Sequence, residues 1–163
     1  MGVVRAVLGA AAGVAVLAGC TSAAQVEPGP HASDPMCAEV LRSAPEVLAG
    51  LPERSTTSQS TQAWGDPPIV MRCGVEVLGP TTEHCITVSD AEGTTVDWVL
   101  REPETSGEED VLTLTTYGRV PAVEVRVPLG WGEEDHDAIL SSLGAAVAQI
   151  PQTRECISIE DAL

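Results

Sequence analysis

Five cysteines carry most of the chemistry available to this 163-residue chain. Cys20 closes the tetrapeptide Leu17-Ala18-Gly19-Cys20, which has the form of a lipobox. At such a site an export signal is cut away and the cysteine sulfur takes a diacylglyceryl group. That group buries on the order of 30 methylenes at ~0.8 kcal/mol each, so release from a bilayer becomes negligible. The other four, Cys37, Cys73, Cys85 and Cys156, are an even number. In an oxidising exterior this favours two disulfides over free thiols or metal. Of the three possible pairings, the expected one joins Cys73 to Cys85 across neighbouring strands and Cys37 in the first helix to Cys156 in the tail. None of the spacings is C-x-x-C or H-x(3–5)-H, so no zinc is expected.

Other catalytic signatures are absent: there is no G-x-S-x-G, H-E-x-x-H or glycine-rich phosphate loop. The chain also lacks lysine, which removes Schiff-base chemistry. An envelope hydrolase would have to be built from Asp66 or Asp97 with His84. A weak divalent-cation binder would use the runs Glu108-Glu109-Asp110 or Glu133 to Asp137, although neither has the D-x-D-x-D-G spacing of a calcium loop. We expect no catalytic residue and no cofactor. The set Trp64, Asp66, Arg72, Tyr117 and Arg119 is more suggestive, because arginine is scarce here. As a patch it would grip an envelope protein or glycan, with Arg72 or Arg119 meeting an anionic group and Trp64 packing on it. The structural alternative has Asp66 paired with an arginine, Trp64 in the core and Gly118 in a turn.

Charge narrows the choice of partner. With 24 acidic residues against eight arginines the formal net charge is −16. Such a surface repels nucleic acid and anionic headgroups, so attachment to a membrane must come from lipid.

These groups are positioned by three segments. Met1 to Arg5 is a positive start and Ala6 to Ala18 an apolar run. At 1.5 Å per residue that run covers about 20 Å, too short to span hydrocarbon, so residues 1–19 read as a lipoprotein signal peptide. Residues 20–33, with Pro28, Gly29 and Pro30, read as a lipidated flexible tether in which His31 is solvated. Residues 34–163 form a single domain. The expected location is therefore the outer face of the cytoplasmic membrane.

Within the domain, Asp34-Pro35 is a helix start. Cys37, Val40, Leu41, Ala44, Leu48 and Leu51 predict one amphipathic helix, kinked or restarted at Pro45 and ended by Gly50 and Pro52. Glu53 to Ala63 reads as a polar loop or irregular edge. Strands are predicted at Ile69–Val75, Cys85–Val88, Val96–Leu100, Val111–Tyr117 and Ala122–Val127. A last helix begins at the acidic turn Glu133 to Asp137 and stops at Pro151. The expected class is α+β: a mainly antiparallel sheet of about five strands, with an N-terminal and a C-terminal helix packed on one face.

The residues also carry a family resemblance. A lipobox and a cysteine-bearing helix are followed by Ala63-Trp64-Gly65-Asp66-Pro67-Pro68, Arg72-Cys73-Gly74 and Val96-Asp97-Trp98. Thr116-Tyr117-Gly118-Arg119 and Pro121-Ala122-Val123-Glu124-Val125 complete the set. From about Cys37 to Cys156 the chain resembles the actinobacterial secreted or lipoprotein family filed as domain of unknown function 3515. The resemblance implies an envelope-facing protein and transfers no functional residue.

Overall fold

Alternation of apolar and polar residues builds the sheet around which this chain folds. The structure, a computed structural model, describes residues 22–101 and 111–157. Helix α1 (Pro35–Ser43) is followed by strands β1 (Val47–Leu48), β2 (Leu51–Arg54), β3 (Thr61–Trp64), β4 (Ile69–Val75), β5 (His84–Ser89), β6 (Thr95–Arg101), β7 (Val111–Thr116) and β8 (Ala122–Pro128), and then by α2 (Glu133–Val147). The strands form one eight-stranded antiparallel sheet in the order β1-β2-β3-β4-β8-β7-β6-β5.

One face of the sheet holds the core. Trp64, Ile69, Met71, Cys73, Trp98, Leu114, Val123, Val125 and Val127 are fully buried there, with Cys37 and Val40 from α1 and Ile139, Leu143 and Val147 from α2. The helices touch each other; α1 lies on β4, and α2 on β5 and β6. Both starts follow from local chemistry. Asp34 accepts from Met36 N at 2.9 Å with Pro35 in the first turn, and Asp135 reaches back to Gly132 N at 2.9 Å.

Strands β4 to β8 occupy the five predicted stretches, and three further strands precede them. Leu48 and Leu51 do not continue the first helix, which stops at Ser43. They face each other across a two-residue turn, Ala49 (φ 51°) and Gly50 (φ 77°), the paired positive φ of a type I′ hairpin. A leucine spacing compatible with helix was overridden by Pro45, which has no donor for a continuing helix, and by that turn. The expected polar loop over 53–63 contains the end of β2 and most of β3, whose short strands Leu-Pro-Glu-Arg and Thr-Gln-Ala-Trp lack β-branched periodicity.

The disulfides are Cys37–Cys73 and Cys85–Cys156, with Cα separations of 5.4 and 5.8 Å, and not the expected pairs. Sheet order explains the correction. Cys73 on β4 and Cys85 on β5 are separated by β8, β7 and β6. Four inter-strand steps of ~4.8 Å place them ~19 Å apart, whereas a disulfide tolerates about 7 Å between Cα atoms. Cys73 shares the helix face with Met71, so it meets Cys37. Cys85 pairs in register with Val99 in the opposite phase, so it meets the tail on the other side.

Residues 22–33 are not a free tether. Ala24 pairs with Thr56 in a parallel bridge, its N donating to Ser55 O at 2.8 Å and its O accepting from Thr57 N at 3.0 Å. Further along, His31 N donates to Gly74 O at 2.8 Å, while the His31 side chain is exposed. The backbones approach so closely that a Cβ on Gly29 would collide with the Gly74 carbonyl. Glycine at both positions, with Gly74 at φ 82° on a bulge of β4, permits the docking.

Candidate functional site

The sheet's second face is covered at its two ends by irregular chain. Residues 22–32 lie over β2, β3 and the end of β4. Thr61 and Ala63, which point away from the core, are only 7 % and 0 % exposed, and Thr61 Oγ1 also donates to Ser58 O at 2.7 Å. The other end is covered by residues 150–156. Thr153 donates twice to Gly118 O, from N at 2.7 Å and from Oγ1 at 2.8 Å. Gly118 (φ 72°) is pressed against the Arg154 backbone with no room for a Cβ.

Beneath this tail is a buried polar network. Asp97 accepts from Thr87 Oγ1 at 2.6 Å, Gln152 Nε2 at 2.8 Å and Cys156 N at 2.7 Å. Arg119, 4 % exposed, donates to Ile150 O, to Thr95 O at 3.1 Å and to Gln152 Oε1 at 3.0 Å. Burial pulls the Arg119 guanidinium below its ordinary pKa, and the Asp97 charge opposes that pull. The network ties the tail to the sheet.

Between the two covers the outer face stays open as a groove of about 790 Å³. Its floor is Val70 and Arg72 of β4, Arg126 and Pro128 of β8 and Val111 of β7. These residues share one face because Val70 faces Arg126 across β4 and β8, and Val111 faces Pro128 across β7 and β8. Gln25, Val26 and Glu27 make one wall; Pro67, Pro68 and Leu129 complete the lining. Glu124 Oε1 stands between the two arginines, 3.5 Å from Arg72 Nε and 4.0 Å from Arg126 Nε. A second, smaller depression of about 390 Å³ lies between β5 and the start of α2.

The five residues expected to form a binding patch do not share a surface. Trp64 is fully buried on the core face and donates Nε1–H to Pro45 O at 2.9 Å. Arg119 is sealed under the tail. Tyr117 is half-buried with the Arg154 guanidinium carbon 5.6 Å from its ring centre. Asp66 sits exposed on the β3–β4 turn, 3.5 Å from Arg54 Nη1. Of the five, Arg72 lines the groove. Asp66, Asp97 and His84 are also dispersed: neither described cavity is lined by any of them. Glu108 to Asp110 and Cys20, the expected lipid site, lie outside the described residues. Among the described residues no three His, Cys, Asp or Glu converge to hold a metal ion, and no helix is long and apolar enough to cross a membrane.

The sequence did contain a signal for the groove. Val70 and Val111 are apolar residues in the outward phase of their strands, where Arg72 and Thr113 mark the other positions as polar. No curated protein and no solved structure matches the chain. A family pattern matches residues 2–156, spanning Cys20, both helices and every strand, and the chain belongs to that family, described as Protein of unknown function (DUF3515).

Proposed function

We propose that this chain is a lipid-anchored, non-enzymatic module at the outer face of the cytoplasmic membrane, whose outer-face groove holds an envelope protein or glycan partner. The observation that carries this reading is the continuity of anchor and groove: the segment that begins two residues after Cys20 makes the groove wall at Gln25 to Glu27. The non-enzymatic part is supported by Asp97, whose carboxylate is engaged by Thr87, Gln152 and Cys156. Arg72 supports binding: it lines the groove floor with Arg126, and the two guanidinium groups flank Glu124 there.

Two measurements test the two halves. Cys20→Ala is expected to abolish palmitate labelling and move the protein from membrane to soluble fractions; an unlabelled wild type would refute the anchor. For the groove, a photo-crosslinking side chain at Val70 or Leu129 is expected to give one adduct in cells that disappears in an Arg72→Glu background. The same side chain at His84 on the far edge strand is expected to give none. Adducts of equal yield from all three positions would dismiss the groove.

A further inference from the structure

The anchor and the folded domain are separated by almost no chain. Arg54 is the clasp: its Nη2 donates to Ser22 O at 2.7 Å while its Nη1 donates to Gly65 O at 2.8 Å. Thr57 adds a second hold, with Oγ1 accepting from Val26 N at 3.0 Å. The chain is thus fixed to the domain from Ser22 onward, and only Thr21 lies between Ser22 and Cys20. Two residue steps reach at most ~7 Å. A free spacer over residues 20–33 would have had an r.m.s. span of ~20 Å.

We propose that the domain is clamped directly against the bilayer surface, with the β3–β4 turn end of the sheet nearest the lipid headgroups; this rests on the lipid anchor proposed above. The clasp itself selects that end. Arg54 joins Ser22 to Gly65, and the next residue, Asp66, is 86 % exposed beside it. Pro67 and Pro68 of the same turn also line the groove, as do Gln25 to Glu27. The part of the groove lined by that turn is therefore the part nearest the headgroups. Charge alone would act the other way. A chain of net charge −16 is repelled by anionic lipid within a Debye length of about 10 Å at 0.1 M salt. Covalent attachment through a two-residue link overrides the repulsion; a long link would let the domain lift away.

The test uses the lipidated full chain in supported bilayers containing anionic lipid, with neutron reflectometry reading the water gap between headgroups and protein. The wild type is expected to show a gap below ~10 Å that is insensitive to salt, given the two-residue reach. A linker of about ten Gly/Ser residues inserted between Thr21 and Ser22 leaves every folded contact intact and is expected to widen the gap by ~15 Å, more at low salt. Arg54→Ala with Thr57→Ala is expected to widen it too, with rapid amide exchange at Ala24 and Val26 as a check that the clamp opened. A lipidated wild type with a wide gap matching the linker variant would overturn the clamp and leave the anchor standing. A wild type without the diacylglyceryl mass that washes from the bilayer would overturn both.

Discussion

The two faces of the sheet are closed by different physics. On the inner face, side chains from α1 and α2 bury large apolar residues, among them Trp64, Trp98, Leu140 and Leu143. Among the described residues no helix sits on the outer face. Two irregular segments are held there by backbone hydrogen bonds, glycine-permitted contacts and the network of Asp97, Arg119 and Gln152. One disulfide serves each face: Cys37–Cys73 pins α1 to the inner side, and Cys85–Cys156 pins the tail to the outer side. The inner face is a continuous core, whereas the outer face is incomplete, and the groove is the part left uncovered. The continuous core and the proposed binding groove thus lie on opposite sides of one sheet.

The largest effect should come from the inner face. Trp98 is fully buried, and Trp98→Ala is expected to cost about 3–5 kcal/mol in urea unfolding, through lost burial and the cavity left behind. A loss below that of any outer-face change would reverse the assignment. Next comes removal of the outer staple. Cys85→Ala with Cys156→Ala frees a 71-residue separation and is expected to cost ~2–4 kcal/mol. Its distinguishing mark is local: the Thr153 and Cys156 amides should exchange rapidly while those of β4 and β8 stay protected. Uniform loss of protection would mean that the two faces unfold as one unit.

Gly118→Ala should act on the outer face alone. The substitution forces a side chain into a positive-φ position and against the Arg154 backbone, with an expected cost of ~1–3 kcal/mol. Calorimetry reads the cost, and faster exchange at Thr153 locates it. An unchanged Thr153 amide would show that the tail does not depend on this contact.

The same division explains what was legible in the sequence. Inner-face strands announce themselves by period-two burial, as in Val123, Val125 and Val127, and α2 by its acidic start and apolar stripe. The outer face is closed by groups whose partners are remote in sequence. Gly29 meets Gly74, Gly118 meets Arg154, and Asp97 meets Cys156. A proline- and glycine-bearing stretch such as residues 28–30 has the composition of a linker, and only its far partner reveals it as docked. Disulfide pairing was hidden for the same reason, since it depends on β8, β7 and β6 lying between β4 and β5. Arg72 was visible as a scarce cation, but its groove companions Val111, Arg126 and Gln25 come together only through sheet order and the docked segment.

The smallest effect belongs to a charge pair outside both covers. Arg101 Nε and Nη2 donate to Glu83 at 2.9 and 3.1 Å. These hydrogen bonds, opposed by some desolvation and aided by the Arg101 charge, hold the Glu83 carboxyl below its ordinary pKa. A depressed folded-state value means that the pair contributes above the unfolded carboxylate range and that the contribution fades as pH falls through the lowered value. Because the pair is solvent-exposed, screening keeps that contribution minor. Arg101→Ala is therefore expected to raise the Glu83 titration, followed by carboxyl NMR, to the ordinary carboxylate range while leaving the urea midpoint at pH 7 unchanged. A midpoint shift as large as that of Gly118→Ala would mean that rim charges help to hold the sheet, and the division between an apolar inner face and a hydrogen-bonded outer face would then be insufficient to account for its stability.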